Sequence, residues 1–211
     1  MIKLYVQYGC GLCAPGEWVN FDASPTLRIQ KTSLLGRLLR KQLNAIFPDN
    51  VKYGDVLKGL PIEDNSCDGI YCSHVLEHMA LNDFRVALKN THRLLKVNGI
   101  FRCVVPDLAW AAKTYLDSYT IGNSLASVNF MDETLLGIRK RPRSLKELLG
   151  ACFGNSHHLW MWDDKSISQE LAQYGFREIR RCNFNDCEDT MFKLVEGEGR
   201  FKNAVAMECK K

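Results

Sequence analysis

What most limits this chain is the order in which its apolar residues change period. Short runs with strand character, at Lys3–Gln7, Trp18–Asp22, Val51–Tyr53, Gly69–Cys72 and Ile100–Val105, alternate with helical stripes at Leu34–Phe47 and Phe84–Leu95. Such alternation predicts an α/β protein, a mostly parallel sheet with helices on both faces, and right-handed crossovers leave few doubly wound arrangements. Pro48-Asp49-Asn50 ends the first helix. Asp83 is expected to cap the second, and Asn98-Gly99 to end it with Gly99 at positive φ. Late in the chain, Ile167, Leu171 and Tyr174 mark another helix, closed at Gly175. Arg177–Cys182 and Asn203–Cys209 complete seven strands, and with only the loop Asn183–Arg200 between them they are expected to pair antiparallel at the sheet edge. Residues 107–157 read as an irregular insert with a helix near 108–119.

A chain of 211 residues suits one domain and can bury a core without disulfides or metal. No apolar run approaches the ~18 residues of a membrane helix. The start, Met1–Gln7, lacks the basic and apolar regions of a secretory signal. A net charge of +4 is too mild to imply a nucleic-acid partner. The nine cysteines, an odd count, read as reduced thiols of a cytoplasmic protein. Cys10-Gly-Leu-Cys13 has the spacing of half a zinc site, but Cys67/Cys72 and Cys182/Cys187 are each separated by four residues, so no metal is expected.

In doubly wound folds ligands bind beyond the carboxyl ends of the strands. After the first strand, Gly9-Cys10-Gly11 lets the backbone approach a ligand closely. After the second, Asp22 can accept hydrogen bonds from both hydroxyls of a ribose, or simply cap Asp-Ala-Ser-Pro. After the third, Asp55 can hold an exocyclic amine while the Val56 amide faces a ring nitrogen. After the fourth comes Ser73-His74-Val75-Leu76-Glu77-His78. Each feature alone reads as an ordinary turn. Four in order, at successive strand ends, do not.

Together, Val6–Gly11, Val19–Pro25, Gly54-Asp55-Val56, Ser66–Asp68 running on to the His74–His78 segment, Leu94–Gly99 and Tyr174-Gly175-Phe176 resemble a class I S-adenosylmethionine-dependent methyltransferase of the type 11 group. The resemblance implies a Rossmann-like fold over residues 1–211, with 107–157 as a lid or substrate insert. It implies S-adenosylmethionine held by Tyr8, Gly9, Cys10, Gly11, Asp22, Asp55, Val56, Ser73 and His74. The expected acceptor is a small molecule, anionic and sugar- or lipid-linked, with room for a homodimer. A nicotinamide enzyme would want a full G-x-G-x-x-G entering a helix, which is absent. The other alternative is a binding module that keeps the fold without catalysis.

The chain departs from the pattern in leaving only Leu12–Glu17 for the usual first crossover helix, with Pro15 among them. The cofactor's carboxylate is therefore expected on loop amides, and with strand one starting at residue 3 the insert is expected to cover the site. Methyl transfer needs positioning and exclusion of water more than a reactive side chain. The candidate bases are His74, Asp107, His157 and His158; His78, four residues past His74, reads as a structural histidine. Leu159–Trp162 reads equally as a substrate wall or as core, and Arg139–Arg143 as a solvated loop or a grip on an anion.

Overall fold

The structure, a computed structural model, describes residues 3–31, 46–141, 143–144 and 157–211. The expected helix over Leu34–Phe47 lies, apart from its last two residues, outside them. The elements run β1 (Tyr5–Tyr8), β2 (Val19–Asp22), α1 (Pro25–Lys31), β3 (Val51–Tyr53), β4 (Cys67–Ser73), α2 (Leu81–Leu94), β5 (Leu95–Pro106), α3 (Leu108–Thr120), α4 (Ala126–Glu133), α5 (Asp164–Gln173), β6 (Arg177–Arg181), α6 (Glu198–Phe201) and β7 (Ala204–Lys210). They build one seven-stranded sheet in the order β3-β2-β1-β4-β5-β7-β6. The first five strands are parallel, and β7 runs antiparallel to both β5 and β6. The order reverses between β1 and β4, so the crevice beyond that pair is where a ligand belongs.

The central strands are buried on both faces, which is why they read as near-continuous apolar runs. One face carries Val6, Ile70, Phe101 and Val105 against Phe84 and Leu88 of α2 and Ile167 and Leu171 of α5. The other carries Tyr5, Tyr71 and Val104 against Trp18, Phe192 and Val195. This second cluster explains how the sheet manages without a β1–β2 helix. The β6–β7 connection folds back over it: Phe192 packs edge-on to Trp18 at 5.4 Å between ring centroids, and the Tyr5 hydroxyl bonds Asp189 Oδ2 at 2.6 Å. The connection expected to be plain loop therefore contains a 3₁₀ turn, Thr190–Leu194, and α6, and substitutes for the missing layer.

Three local expectations are corrected. Helix α2 starts earlier than expected, with Ala80 as its N-cap and Asp83 inside its first turn, where a carboxylate still favours the helix dipole. It also ends earlier, passing directly into β5 at Leu95. The left-handed residue of the later turn is Asn98, at φ 64°, rather than Gly99. Gly99 is needed for space: a Cβ there would lie 2.8 Å from the Cys67 carbonyl oxygen. The described part of the insert is more regular than its sequence suggests, since α3 and α4 pack on each other.

Candidate active site

The site begins with the turn after β1. Gly9 and Gly11 have φ of 65° and 55°, a region that costs L-residues roughly 1–2 kcal/mol. At Gly9 space is also decisive, because a Cβ would sit 2.2 Å from Val75 Cγ2 in the segment after β4. Glycine thus allows the two turns at the switch point to touch. Gln7 fixes the turn from below, its amide donating to the Cys13 carbonyl at 2.8 Å and to Asn20 Oδ1 at 2.6 Å. Cys10 is buried, and that burial pushes its thiol up to about 12, so it stays a thiol.

Asp22, nearly buried, accepts from the Gly11 amide at 3.0 Å and from the Ser24 amide at 2.8 Å. It acts both as the cap of its own turn and as the anchor of the glycine turn, and each oxygen keeps a lone pair for a ligand hydroxyl. Asp55 caps its turn by accepting from the Leu57 amide at 3.0 Å and pairs with Lys58. Tyr8, Gly9, Asp22, Asp55, Val56 and His74 line one cavity of about 610 Å³. Ser73 instead faces a small adjoining recess beneath the glycine turn, with Gly9, Cys10, Tyr71 and Arg200. The hydroxyls of Ser73 and Tyr71 are buried there without a partner.

The four strand ends therefore converge on one cleft. Between β1 and β2 the chain makes only turns, so no helix N-terminus faces the cleft from there. A pyrophosphate would lack its usual cradle. S-adenosylmethionine carries no phosphate and needs no such cradle, and the cleft offers it the open face of the glycine turn with the carboxylates of Asp22 and Asp55 on its wall. Arg200 received no role from the sequence. It donates to the Ser73 carbonyl at 3.1 Å and brings a cation to the recess. No local pattern marks it, because it arrives from the β6–β7 connection.

Residues 7–103 match the family described as a methyltransferase domain. That span, just under half of the chain, together with the sheet order, supports a class I S-adenosylmethionine-dependent methyltransferase. Among solved structures, the methyltransferase is similar to phosphoethanolamine N-methyltransferase 2 of Haemonchus contortus, at TM-score 0.50 and 12% identity over 99% of this chain and 48% of that one. At that identity the likeness concerns the fold alone. An S-adenosylmethionine-dependent methyltransferase of Archaeoglobus fulgidus aligns at TM-score 0.49 and 17% identity, over 99% and 86% of the two chains. No curated protein matches.

The catalytic candidates of the methyltransferase separate. His74 (φ 54°) sits in the cleft with both ring nitrogens engaged: Nδ1 lies 3.2 Å from Glu77 Oε1 and Nε2 lies 2.9 Å from the Arg200 carbonyl oxygen. Burial alone would lower its pKa, but Glu77 and that carbonyl together raise it. Asp107, expected to face the pocket, faces elsewhere. It caps α3 through Oδ1, pairs with Arg181 through Oδ2 at 2.8 Å, and lines a separate cavity of about 280 Å³ between the ends of β5 and β6. It is a helix cap held by an ion pair.

His157 is exposed, whereas His158 is buried with its ring 5.0 Å from that of His78. Burial lowers the His158 pKa. The segment is pinned by Glu77, whose backbone carbonyl accepts from the Leu159 amide at 2.8 Å and the Trp160 amide at 3.1 Å. The aromatic run divides: Trp162 packs on Phe84 in the core, while Leu159 and Trp160 face outward. Of the basic run, Arg139 is tied to Asp132, Lys140, Arg141 and Arg143 are exposed, and Pro142 lies outside the described residues.

Proposed function

We propose that the methyltransferase acts on an anionic small-molecule acceptor, sugar- or lipid-linked, with residues 107–157 forming the acceptor side. The observation that carries the reading is the cavity of about 610 Å³ fed by four successive strand ends. In this reading Gly9, Gly11 and Asp22 hold the methionine and ribose parts, Asp55 and the Val56 amide the adenine, and Arg200 the carboxylate. The bound S-adenosylmethionine supplies an electrophilic methyl group. The chain's residues orient it and exclude water, which is where catalysis of an in-line transfer chiefly lies. His74 and His78, which line the cavity, are the histidines the reading sets nearest the acceptor. The exposed cations 140, 141 and 143 support an anionic one.

Eight free cysteines among the described residues suit a reducing, cytoplasmic setting, and no described helix is long and apolar enough to cross a membrane. The test is turnover of S-adenosylmethionine with a panel of small acceptors at several salt concentrations. Attraction between exposed charges is screened over ~8–10 Å, so the apparent Michaelis constant of an anionic acceptor should rise with salt and again in an Arg141→Ala, Arg143→Ala double variant. Preference for a neutral acceptor, indifferent to salt, overturns the acceptor assignment.

A further inference from the structure

The Glu77 carboxylate is fully buried, and the polar atoms that face it are imidazole nitrogens: His74 Nδ1 lies 3.2 Å and His78 Nε2 4.0 Å from Oε1. A buried carboxylate is costly unless a positive charge lies against it. Three imidazoles surround it, from His74, His78 and His158. One donor atom from each of Glu77, His78 and His158 lies within 4.8 Å of the others.

The orientations of the rings follow from their outer contacts. A carbonyl oxygen only accepts, so the His78 nitrogen 3.0 Å from the His157 carbonyl, Nδ1, is the one that carries hydrogen. In the neutral ring this turns the lone pair of Nε2 toward Glu77, 4.0 Å away. His74 repeats the arrangement, donating from Nε2 to the Arg200 carbonyl and presenting Nδ1 to Glu77 at 3.2 Å. His158 Nδ1 is buried with no partner at all. Imidazole nitrogens and a buried carboxylate thus converge on one point. Outer hydrogen bonds of this kind to backbone carbonyls are how proteins orient metal-ligating histidines.

We propose that Glu77, His78 and His158 bind a divalent first-row transition ion, with His74 at the edge of the site. Two imidazoles and a carboxylate suit zinc and its neighbours in the row, whereas all-oxygen sites suit magnesium and calcium. The ion has a route in, since His74 and His78 both line the cofactor cavity. Three protein ligands leave a coordination position open toward the acceptor side, where an acceptor oxygen could bind and lose its proton more readily. Cation binding stands on the side chains alone; its use in presenting an acceptor rests on the methyl-transfer reading.

The experiment is a titration of the chelator-treated full chain with Co²⁺, followed by visible absorption, with Zn²⁺ as competitor. One equivalent should bind, giving ligand-field bands without the thiolate charge-transfer band that a cysteine site would add. Glu77→Gln and His158→Ala should each weaken binding by more than about tenfold. Paramagnetic shifts of the His78 and His158 ring protons in the unaltered chain provide a readout that does not depend on the variants folding. No uptake, thiolate bands, or full binding in both variants overturns the site. S-adenosylhomocysteine affinity measured on the same samples keeps the two readings apart. Cofactor binding without metal uptake sinks only the metal site, and metal uptake without cofactor binding sinks only the methyl-transfer reading.

Discussion

The sheet and the α3–α4 hairpin are built on opposite terms. Val6, Ile70, Phe101 and Val105 are wholly buried, and the turns above them are fixed by positive φ and by hydrogen bonds such as that from the Gly11 amide to Asp22. In the hairpin, α3 buries only Ala111 and α4 only Ala126, while Leu116, Tyr119, Ile121 and Val128 lie open. Where packing acts on both faces, the backbone dictates which residues meet the ligand. Where the two helices pack only on each other, the outer surface is left to whatever it must bind. In the proposed reading the cofactor side of the site belongs to the first kind of region and the acceptor side to the second.

The largest test of that contrast is Arg102, in the middle of β5. It is buried and joined to Glu196, itself buried, and to Glu208 and Asp186 at 2.6–3.0 Å. Arg102→Ala leaves Glu196 buried and unpaired, a change worth about 3–5 kcal/mol. Ile121→Ala, at 84% exposure, should stay within roughly 0.5 kcal/mol. Denaturant midpoints compare the two directly. A large loss at Ile121 would break the contrast by revealing that the hairpin is covered in solution.

A smaller effect is expected at the cofactor. Asp22→Ala removes the acceptor that serves both the glycine turn and the proposed ribose hydroxyls, for about 1–3 kcal/mol of S-adenosylhomocysteine affinity. Arg141→Ala should leave that affinity unchanged. Calorimetry on both variants sharpens the division of labour. Unchanged affinity in Asp22→Ala would remove Asp22 from the site.

The sequence period made the strands legible because both faces of the sheet are buried, and the chemistry at their ends was legible because each turn is local. Contacts between distant segments were not. Nothing near Phe192 announces that it covers Trp18, and nothing near Arg200 that it reaches Ser73. Glu77 was visible inside its H-V-L-E-H run, but its environment depends on His158, eighty-one residues later, so the run alone could not give it a role. Asp107 follows a strand just as Asp22 does, yet a helix starts beyond it and Arg181 arrives from β6. Local reading took a cap for a candidate base. The need for glycine at 99 was hidden for a similar reason, since the Cys67 carbonyl that excludes a Cβ comes from the neighbouring strand.

The smallest effect lies at the boundary between the two regions, where the chain leaves the acceptor side and enters α5. Asp163 caps that helix, accepting from the Ser166 amide at 2.7 Å, while Ser166 Oγ accepts from the Asp163 amide at 3.2 Å. Removing a cap of this kind costs about 1 kcal/mol, so Asp163→Ala should lower stability by that order and leave cofactor affinity in place, because α5 packs beneath the sheet rather than over the cleft. The Ser166 amide also holds the Asp163 carboxyl below the usual aspartate range. A carboxyl whose folded pKa is depressed contributes stability that is fully present above its unfolded value, near 3.9, and is lost as pH falls through the lower folded value. The stability difference between the parent chain and Asp163→Ala should therefore be constant at neutral pH and shrink only as the pH drops below about 4. Denaturation curves across that range provide the measurement. A difference that persists unchanged through strong acid would mean that the loss comes from packing at the start of α5 and not from the charged cap.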